Sequence, residues 1–438
     1  MAPAAYLPTG ARMNWSEFRK AGHWPTLLSA FLYFDMGFMA WVMLGPLAAY
    51  LSKALSLPAE DMFTLVAIPI LSGAAFRIPM GMMADHLGPK RTGLMGQLVV
   101  MAGLAYAWIF GLHSSFEVML LGIVLGVAGA SFAVALPQAS RWYPPKYQGI
   151  VMGIAGAGNS GVMLGSLFIP TLAEMFGHQD VFGLMLIPLG LVFVIYALTV
   201  KDAPDKRAPV TVANYTALLR DRDTWWFMFF YFITFGGFVG LAGAMPLYFK
   251  TWYSASGVAA GLMAAIVVFG GSFCRPLGGW IADRIGGLKA LQVLYTVVAL
   301  AYLTIAFLPK GPAPSVEIME AAKVGGWALA DLPGIAWIAV AVFFVGAMAL
   351  GMGNGSVFQL VPLRFRQEIG VITGHVGAGG GLGGFVLAKA LGVSKDMTGG
   401  FTAGFCVFAV LAVVGLIGIV VVKTRWRTTW GAVSGAVV

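Results

Sequence analysis

The sequence predicts an all-α membrane protein with twelve transmembrane helices in two pseudo-symmetric six-helix bundles. Three observations lead to this prediction: the composition, the number of long apolar runs, and a repeat between the two halves of the chain. Hydrophobic residues make up 59% of the 438 residues, charged residues only 10%, and the mean hydropathy is +0.85. A soluble protein of this length needs a much more highly charged surface. The composition therefore indicates a membrane protein.

Apolar runs long enough to cross a bilayer occur about twelve times, since roughly 20 residues of helix span about 30 Å of hydrocarbon. They lie near 25–52, 62–84, 91–111, 116–140, 147–174, 181–200, 224–249, 257–282, 288–308, 334–361, 369–390 and 398–422. Backbone polar groups in lipid must be satisfied internally, and the runs lack the alternation of barrel strands, so helices are predicted. No short apolar core with a cleavage site precedes the first run, which is expected to be a retained span.

The basic residues predict the orientation. With both termini in the cytoplasm, 19 of the 27 Lys and Arg residues fall on the cytoplasmic side and 6 on the outer side. Lys and Arg concentrate in cytoplasmic loops. A multi-pass protein of the cell inner membrane with cytoplasmic termini is therefore expected, and the net charge of +9 requires no nucleic-acid partner.

The two halves of the chain repeat each other in two places. The segments RIPMGMMADHLG (77–88) and RPLGGWIADRIG (275–286) share Arg, Gly, Ala, Asp and Gly at an offset of 198. Four glycines of QGIVMGIAGAGNSG (148–161) recur in EIGVITGHVGAGGGLGG (368–384) at an offset of 221. The second offset is larger than the first because of a loop near 309–333 that has no counterpart in the first half. Such a duplication predicts a binding site at the midplane between the halves.

A long polar stretch, KDAPDKRAPVTVANYTALLRDRD, divides the repeats. It predicts a first bundle over 1–200, a cytoplasmic linker over 201–223, and a second bundle with a short tail over 224–438.

Two arginines lie deep within predicted spans, where a charge costs about 2.5–3.5 kcal/mol or more. Arg77 precedes Asp85 by eight residues, and Arg275 precedes Asp283 by the same number. Eight helical residues place each arginine roughly 12 Å inside the helix end. Only Asp35 is an acidic residue deep within a span, so two positive charges face at most one negative charge. The surplus predicts an anion site, for which the planar guanidinium group is well suited.

The loop GMMADHLGPKR (81–91) and its repeat resemble the signature loops of the major facilitator superfamily. The residues that carry this resemblance are Gly81, Asp85, Gly88 and Arg91 in the first half, and Gly279, Asp283 and Arg284 in the second. The resemblance covers nearly the whole chain and implies the major facilitator fold.

The paired glycine-rich stretches of the fifth and eleventh spans resemble those of the nitrate/nitrite porter family. The opening segment WPTLLSAFLYFDMGFMAWVMLGPLA is more similar to its bacterial assimilatory nitrate transporter branch. This resemblance implies a nitrate or nitrite substrate, bound by residues at the positions of Arg77, Arg275, Asn159, Tyr231 and Phe132. One departure is that Gly380 stands where the first glycine stretch has Asn159.

Several further residues are candidates for roles in transport. Phe132 and Phe235 either sandwich a flat anion or serve as core aromatics. Asp35 and His375 are candidates for proton coupling, with hydrogen-bonded packing roles as the alternative. Six glycines are expected to allow close helix packing around a narrow cavity: Gly156, Gly158, Gly161, Gly377, Gly379 and Gly381.

The sequence therefore predicts a secondary active transporter that imports nitrate, and nitrite as well, by alternating access with proton coupling. A nitrate/nitrite exchanger and a small-carboxylate transporter of the same fold are the alternatives. The expected partners are the anion, the lipid bilayer and protons, and the chain is expected to be a monomer. No span carries paired carboxylates, a Ser/Lys pair or several histidines, and Cys274 and Cys406 both lie in apolar runs. We therefore expect no enzyme activity, cofactor, metal or disulfide.

Overall fold

The computed structural model describes residues 15–144, 147–203, 212–322, 326–365 and 368–431. Twelve helical spans in these ranges are long and apolar enough to cross a membrane, six before residue 200 and six after residue 221. The all-α class and the number of spans are thus confirmed. The predicted linker, 201–223, lies partly outside the described residues, and the seventh span already begins at Arg222. The bounds of the three domains stay a prediction.

Eight spans are continuous helices and four are interrupted near their middle. The continuous spans are 2 (Ala59–Leu87), 3 (Pro89–Phe110), 6 (His178–Thr199), 7 (Arg222–Tyr253), 9 (Gly287–Phe307), 10 (Gly334–Arg364), 11 (Ile369–Thr398) and 12 (Thr402–Thr428). The interrupted spans are 1 (Trp24–Trp41, Leu44–Ala54), 4 (Ser115–Gly129, Ser131–Ser140), 5 (Gln148–Gly156, Ser160–Phe176) and 8 (Gly257–Phe273, Arg275–Ile285). Short helices outside the spans cover Trp15–Lys20, Val212–Leu218 and Val316–Ala322.

The two halves meet chiefly along spans 2 and 11 and along spans 5 and 8. We call the end of the molecule that carries the linker the linker end, and the opposite end the far end. At the far end the Lys389 ammonium donates to the Thr64 hydroxyl at 2.9 Å, and Phe63 packs on Phe401 with ring centroids 5.5 Å apart. These contacts hold the halves together at that end.

At the linker end, Tyr215 of the helix Val212–Leu218 is buried between the halves. A Cβ atom at Gly81 of span 2 would lie 3.2 Å from its hydroxyl oxygen, and its ring lies 5.4 Å from that of His375 of span 11. Burial, and then the negative charge of Asp85, raise the pKa of Tyr215 to about 12. The hydroxyl is therefore neutral at physiological pH.

The two signature loops turn at glycines and then differ in their polar partners. Gly88 and Gly286 end spans 2 and 8 with φ of +91° and +95°, a conformation that L-residues other than glycine rarely adopt. Asp85 accepts a 2.7 Å hydrogen bond from Arg141 of span 4. Asp283 instead faces the neutral amide of Gln359. The repeat therefore conserves the turn but not the ion pair.

The other signature residues lie at the same end of the molecule. The Arg284 guanidinium lies over the Trp280 ring at 3.6 Å, and Arg91 is exposed on span 3. A Cβ atom at Gly279 would make an ordinary contact with the Gly355 carbonyl at 3.7 Å.

An ion cluster at the linker end joins spans 7, 10 and 12. The Asp223 carboxylate accepts hydrogen bonds from Arg364 Nε at 2.9 Å, from Trp426 Nε1 at 2.7 Å, and from Arg425. Arg364 also donates to Asp221 at 2.6 Å. The Asp223 side chain is only 9% exposed, whereas that of Asp221 is 28% exposed.

We predict that Asp223→Asn lowers the stability of the protein by about 1–3 kcal/mol, because Arg425 loses its charged partner and Arg364 loses the more buried of its two. The matched control is Asp221→Asn, which keeps a helix-capping side chain and removes one more exposed ion pair. Thermal unfolding of the purified protein measures both changes. Equal melting temperatures for the two variants would contradict the prediction.

Candidate anion-binding site

Arg77 lies on span 2 between the two halves and is 1% exposed. Its Nη1 donates to the backbone carbonyl of Gly377 on span 11, across the interface. Its Nε and Nη2 are buried and have no hydrogen-bond partner in the described part of the chain. These two nitrogens form the outer edge of the guanidinium group, the edge that donates two parallel hydrogen bonds to an oxyanion.

Arg275 follows a break in span 8, which bends at Cys274 and resumes with Arg275 and Pro276. The residue is half-buried, and its Nη1 is a buried donor without a partner among the described residues. The positive charges of Arg77 and Arg275 are near enough to repel each other, and both act on the Tyr231 hydroxyl. The two repeat-related arginines thus approach one centre.

Carboxylates do not neutralise these arginines. Among the described residues no carboxylate forms an ion pair with Arg77 or Arg275, whereas Arg141, Arg364 and Arg425 at the linker end do form ion pairs. The buried Asp35 accepts a 2.5 Å hydrogen bond from the Ser160 hydroxyl and another from the backbone N–H of Gly161. The centre therefore keeps a surplus of positive charge.

Aromatic rings surround the two guanidinium groups. The Arg77 Cζ lies 5.3 Å from the Phe132 ring centroid, 4.9 Å from that of Phe235 and 5.8 Å from that of Trp41. The Arg275 Cζ lies 5.5 Å from the ring of Phe358. Rings at these distances stabilise a cation through their electron-rich faces and exclude water from it.

The rings also join the two halves into one wall. Phe358 of span 10 packs edge-on against Tyr231 at 5.1 Å and against Phe132 at 6.3 Å, while Tyr231 and Phe235 stack in parallel at 5.0 Å. The Tyr231 hydroxyl is buried and has no hydrogen-bond partner in the described ranges. It is a further free donor on this wall.

Asn159 lies in a 3₁₀ turn, Ala157–Asn159, that interrupts span 5. It is 1% exposed, and its side-chain oxygen has no partner among the residues described. Its backbone carbonyl accepts a 3.3 Å hydrogen bond from the Ser272 hydroxyl of span 8. Asn159 therefore lies beside the end of the first helix of span 8, just before Arg275.

The absence of a second asparagine at position 380 has a steric cause. A Cβ atom at Gly380 would lie 2.6 Å from Cδ1 of Tyr231 and 2.9 Å from Cδ1 of Phe235. The stacked rings of span 7 therefore fill the space that corresponds to the Asn159 side chain in the first half. Any side chain at position 380 would displace them.

His375 is buried in span 11, where its Nδ1 donates to the Val371 carbonyl at 3.0 Å and its ring packs on Tyr215. Its described contacts are thus those of a packing residue at the linker end.

Five of the six glycines singled out in the sequence make close contacts. A Cβ atom at these positions would meet Phe34 (Gly158), the Asp35 backbone (Gly161), Arg77 (Gly377), Met228 (Gly379) and Ala74 (Gly381). At Gly156 it would meet nothing within 4 Å. The glycines of span 5 therefore allow close packing against span 1, and those of span 11 allow close packing against spans 2 and 7.

Sequence reasoning missed Phe358, Trp41 and the Gly377 carbonyl. Spans rich in phenylalanine and tryptophan offer no signal for which ring faces an arginine. A backbone carbonyl has no signal in the sequence at all.

The architecture is that of a membrane transporter built from two related six-helix halves around a central site. The chain belongs to the major facilitator superfamily, whose family model matches residues 26–388. This confirms the fold expected from the two signature loops.

Within this superfamily, the chain is similar to curated proteins that are named as nitrate or nitrite transporters. The chain is 28% identical to the "Nitrite extrusion protein" of Bacillus subtilis over 89% of this chain and 92% of that protein. It is 31% identical to a "Probable nitrate/nitrite transporter" of Mycobacterium tuberculosis over 86% of this chain and 91% of that protein. It is 28% identical to a "Probable nitrate/nitrite antiporter" of Thermus thermophilus over 88% of each. The resemblance to nitrate/nitrite porters is thereby confirmed, whereas the assimilatory branch stays a prediction.

We predict that Gly380→Ala lowers anion uptake about tenfold, because overpacking of about 1–3 kcal/mol would push the Tyr231 and Phe235 rings out of place. Gly370→Ala is the control on the same helix, since a Cβ atom there meets nothing within 4 Å. Uptake per amount of protein in the membrane measures the difference. Normal uptake by the Gly380 variant would show that the ring positions do not matter.

Proposed function

We propose that this chain carries nitrate and nitrite across the cell inner membrane by alternating access, with proton-coupled nitrate import as its main direction. The observation that carries the proposal is the pair of arginines between the halves, Arg77 buried and Arg275 half-buried, which have buried free donors and no carboxylate partner among the described residues. The names of the relatives point to the same substrates. The excess of basic residues in the linker and tail supports cytoplasmic termini. We further propose that the protein works as a monomer.

The geometry of the free donors fits a small planar oxyanion. The Nε–Nη2 edge of Arg77 can donate to two oxygens at once, and Arg275 Nη1 and the Tyr231 hydroxyl can donate from the second half. Asn159 can add an amide N–H from the first half. Phe132 and Phe235, which flank Arg77, would cover the faces of the flat ion.

Bound anion would remove two electrostatic penalties. Buried donors without partners each cost about 1–3 kcal/mol, and two guanidinium groups repel each other in a medium of low dielectric. An anion between them satisfies the donors and neutralises the repulsion. The loaded carrier can therefore bring its halves together more easily than the unloaded one, as obligatory coupling of transport to substrate requires.

Import of an anion needs a second driving force. A membrane potential that is negative inside opposes entry by about 2.3 kcal/mol per charge per 100 mV. Entry of more than one proton per nitrate, or exit of nitrite in exchange, can supply the difference. We assign proton binding to Asp35, whose partner Ser160 directly follows Asn159. Protonation would turn an acceptor oxygen of Asp35 into a donor, which would rearrange the bond to Ser160 and shift the adjacent turn.

We predict that Arg77→Lys and Arg275→Lys each lower nitrate uptake by about tenfold or more, because an ammonium group cannot reproduce the planar fork and loses a charge-assisted hydrogen bond. Uptake of labelled nitrate into proteoliposomes measures the loss. Arg220→Lys, at an exposed position of the linker end, is the control. Normal transport by both site variants would refute the proposed site, and inhibition by excess formate or oxalate would favour a carboxylate substrate.

We predict that Asp35→Asn abolishes the stimulation of uptake by an imposed inward proton gradient while nitrate/nitrite exchange persists. Ser160→Ala, which removes the partner and keeps the carboxyl group, should retain some stimulation. The measurement is nitrate uptake with and without the gradient and with and without internal nitrite. If wild-type uptake does not respond to the gradient and requires internal nitrite, the mechanism is nitrate/nitrite exchange and not proton coupling.

A further inference from the structure

We infer that Asn354 of span 10 is an additional ligand of the transported anion, one that acts from the second half as Asn159 does from the first. The inference rests on the proposed transport function and adds a residue that favours nitrate over nitrite. It begins from a short motif that the half-to-half repeat does not explain.

The sequence places an asparagine after G-x-G twice within spans. GAGNSG covers 156–161 in span 5, and GMGNGS covers 351–356 in span 10. The two asparagines are 195 residues apart, whereas the glycine stretches of spans 5 and 11 are related by 221. Span 10 therefore carries its own buried amide, and the second half makes up in this way for the glycine at position 380.

Asn354 is as buried as Asn159, at 1% exposure. Its side-chain oxygen is buried without a hydrogen-bond partner, and its side chain makes no hydrogen bond among the described residues. A buried amide without a partner costs free energy, and nearly all buried polar groups in proteins are paired. An amide in this state near the candidate anion site is available to bind the anion.

The helix geometry directs Asn354 toward the arginines. Asn354 and Phe358 are four residues apart and so share one face of span 10. Phe358 lies on that face against the Arg275 guanidinium and the Tyr231 ring. The neighbouring face packs on span 8, because Cβ atoms at Gly351 and Gly355 would overlap its backbone.

Asn354 also lies at the level of the site along the membrane axis. Gly355, the next residue, is in contact with the backbone carbonyl of Arg275. Asn159 borders the same segment of span 8 through its hydrogen bond with Ser272. The two asparagines, one from each half, therefore flank the turn of span 8 that presents Arg275.

This arrangement assigns Asn354 to the third oxygen of the anion. If the Nε–Nη2 edge of Arg77 takes two oxygens, a trigonal ion directs its third oxygen toward the second half, where Arg275 Nη1 and the Asn354 amide can donate to it. Nitrite has only two oxygens and gains less from a donor at that position. Asn354 thus distinguishes nitrate from nitrite by the third oxygen, whereas Arg77 selects for a negative, planar ion.

The test compares Asn354→Leu, which keeps the approximate volume, with Ser356→Ala on another face of the same helix, where the Ser356 hydroxyl bonds to backbone carbonyls. The apparent KM for nitrate in proteoliposomes should rise about tenfold or more in the Leu variant, as expected for loss of a hydrogen bond to a charged group. The KM for nitrite should rise less than about threefold by the same reasoning, and the Ser356 variant should match the wild type. Asn354→Ala serves if the Leu variant does not fold, and the stabilisation of the purified protein by added nitrate gives a second readout that does not depend on transport.

Three results would overturn the inference. The first is that the Asn354→Leu variant keeps both its KM for nitrate and its stabilisation by nitrate. The second is a lower maximal rate at constant KM, which would indicate a structural role. The third is an equal rise in KM for nitrate and nitrite. Arg275→Lys in the same assay separates this failure from failure of the proposed function. Loss of transport in that variant together with a normal Asn354 variant leaves the proposed function standing and removes only the ligand role of Asn354.

Discussion

Two like charges held close together between the halves are the constraint on which the rest of this molecule depends. Arg77 and Arg275 come from equivalent places in the two halves and repel each other. Arginine stays charged when it is buried, so the protein cannot relieve the repulsion by neutralising one group. It stabilises Arg77 instead with the Gly377 carbonyl and with ring faces, both of which leave the net charge intact.

The residues around this charge pair differ in whether their helix is continuous. Arg77 lies on an unbroken helix, whereas Arg275 begins a new helix after Cys274 and Asn159 lies in a 3₁₀ turn. Phe132 follows the break at Ala130 in span 4. Breaks within spans are tolerated where the backbone is buried in protein, and they allow small rotations without unfolding a helix. The arrangement thus combines one arginine on a continuous helix with partners that lie next to helix breaks.

The duplicated halves are symmetric in charge and asymmetric in hydrogen bonding. Both keep the arginine and the turning glycine, yet Asp85 pairs with Arg141 while Asp283 faces an amide. Position 380 is a glycine because the Tyr231 and Phe235 rings occupy the space beside it. The repeat thus gives each half one arginine at an equivalent place, and the departures from the repeat give the two halves different hydrogen-bonding groups.

The sequence by itself determined the class, the number of spans and the two arginines, because hydropathy and charge act locally and duplication repeats them at fixed offsets. It also named Asn159, Tyr231, Phe132 and Phe235 through resemblance to a family. Only the tertiary structure decided which donors remain free, that Asp35 bonds to Ser160 and not to an arginine, and that Phe358 completes the aromatic wall. Those facts depend on how helices distant in the chain are rotated about their axes relative to each other. The sequence of a helix that is apolar on every face does not indicate which face packs against which neighbour.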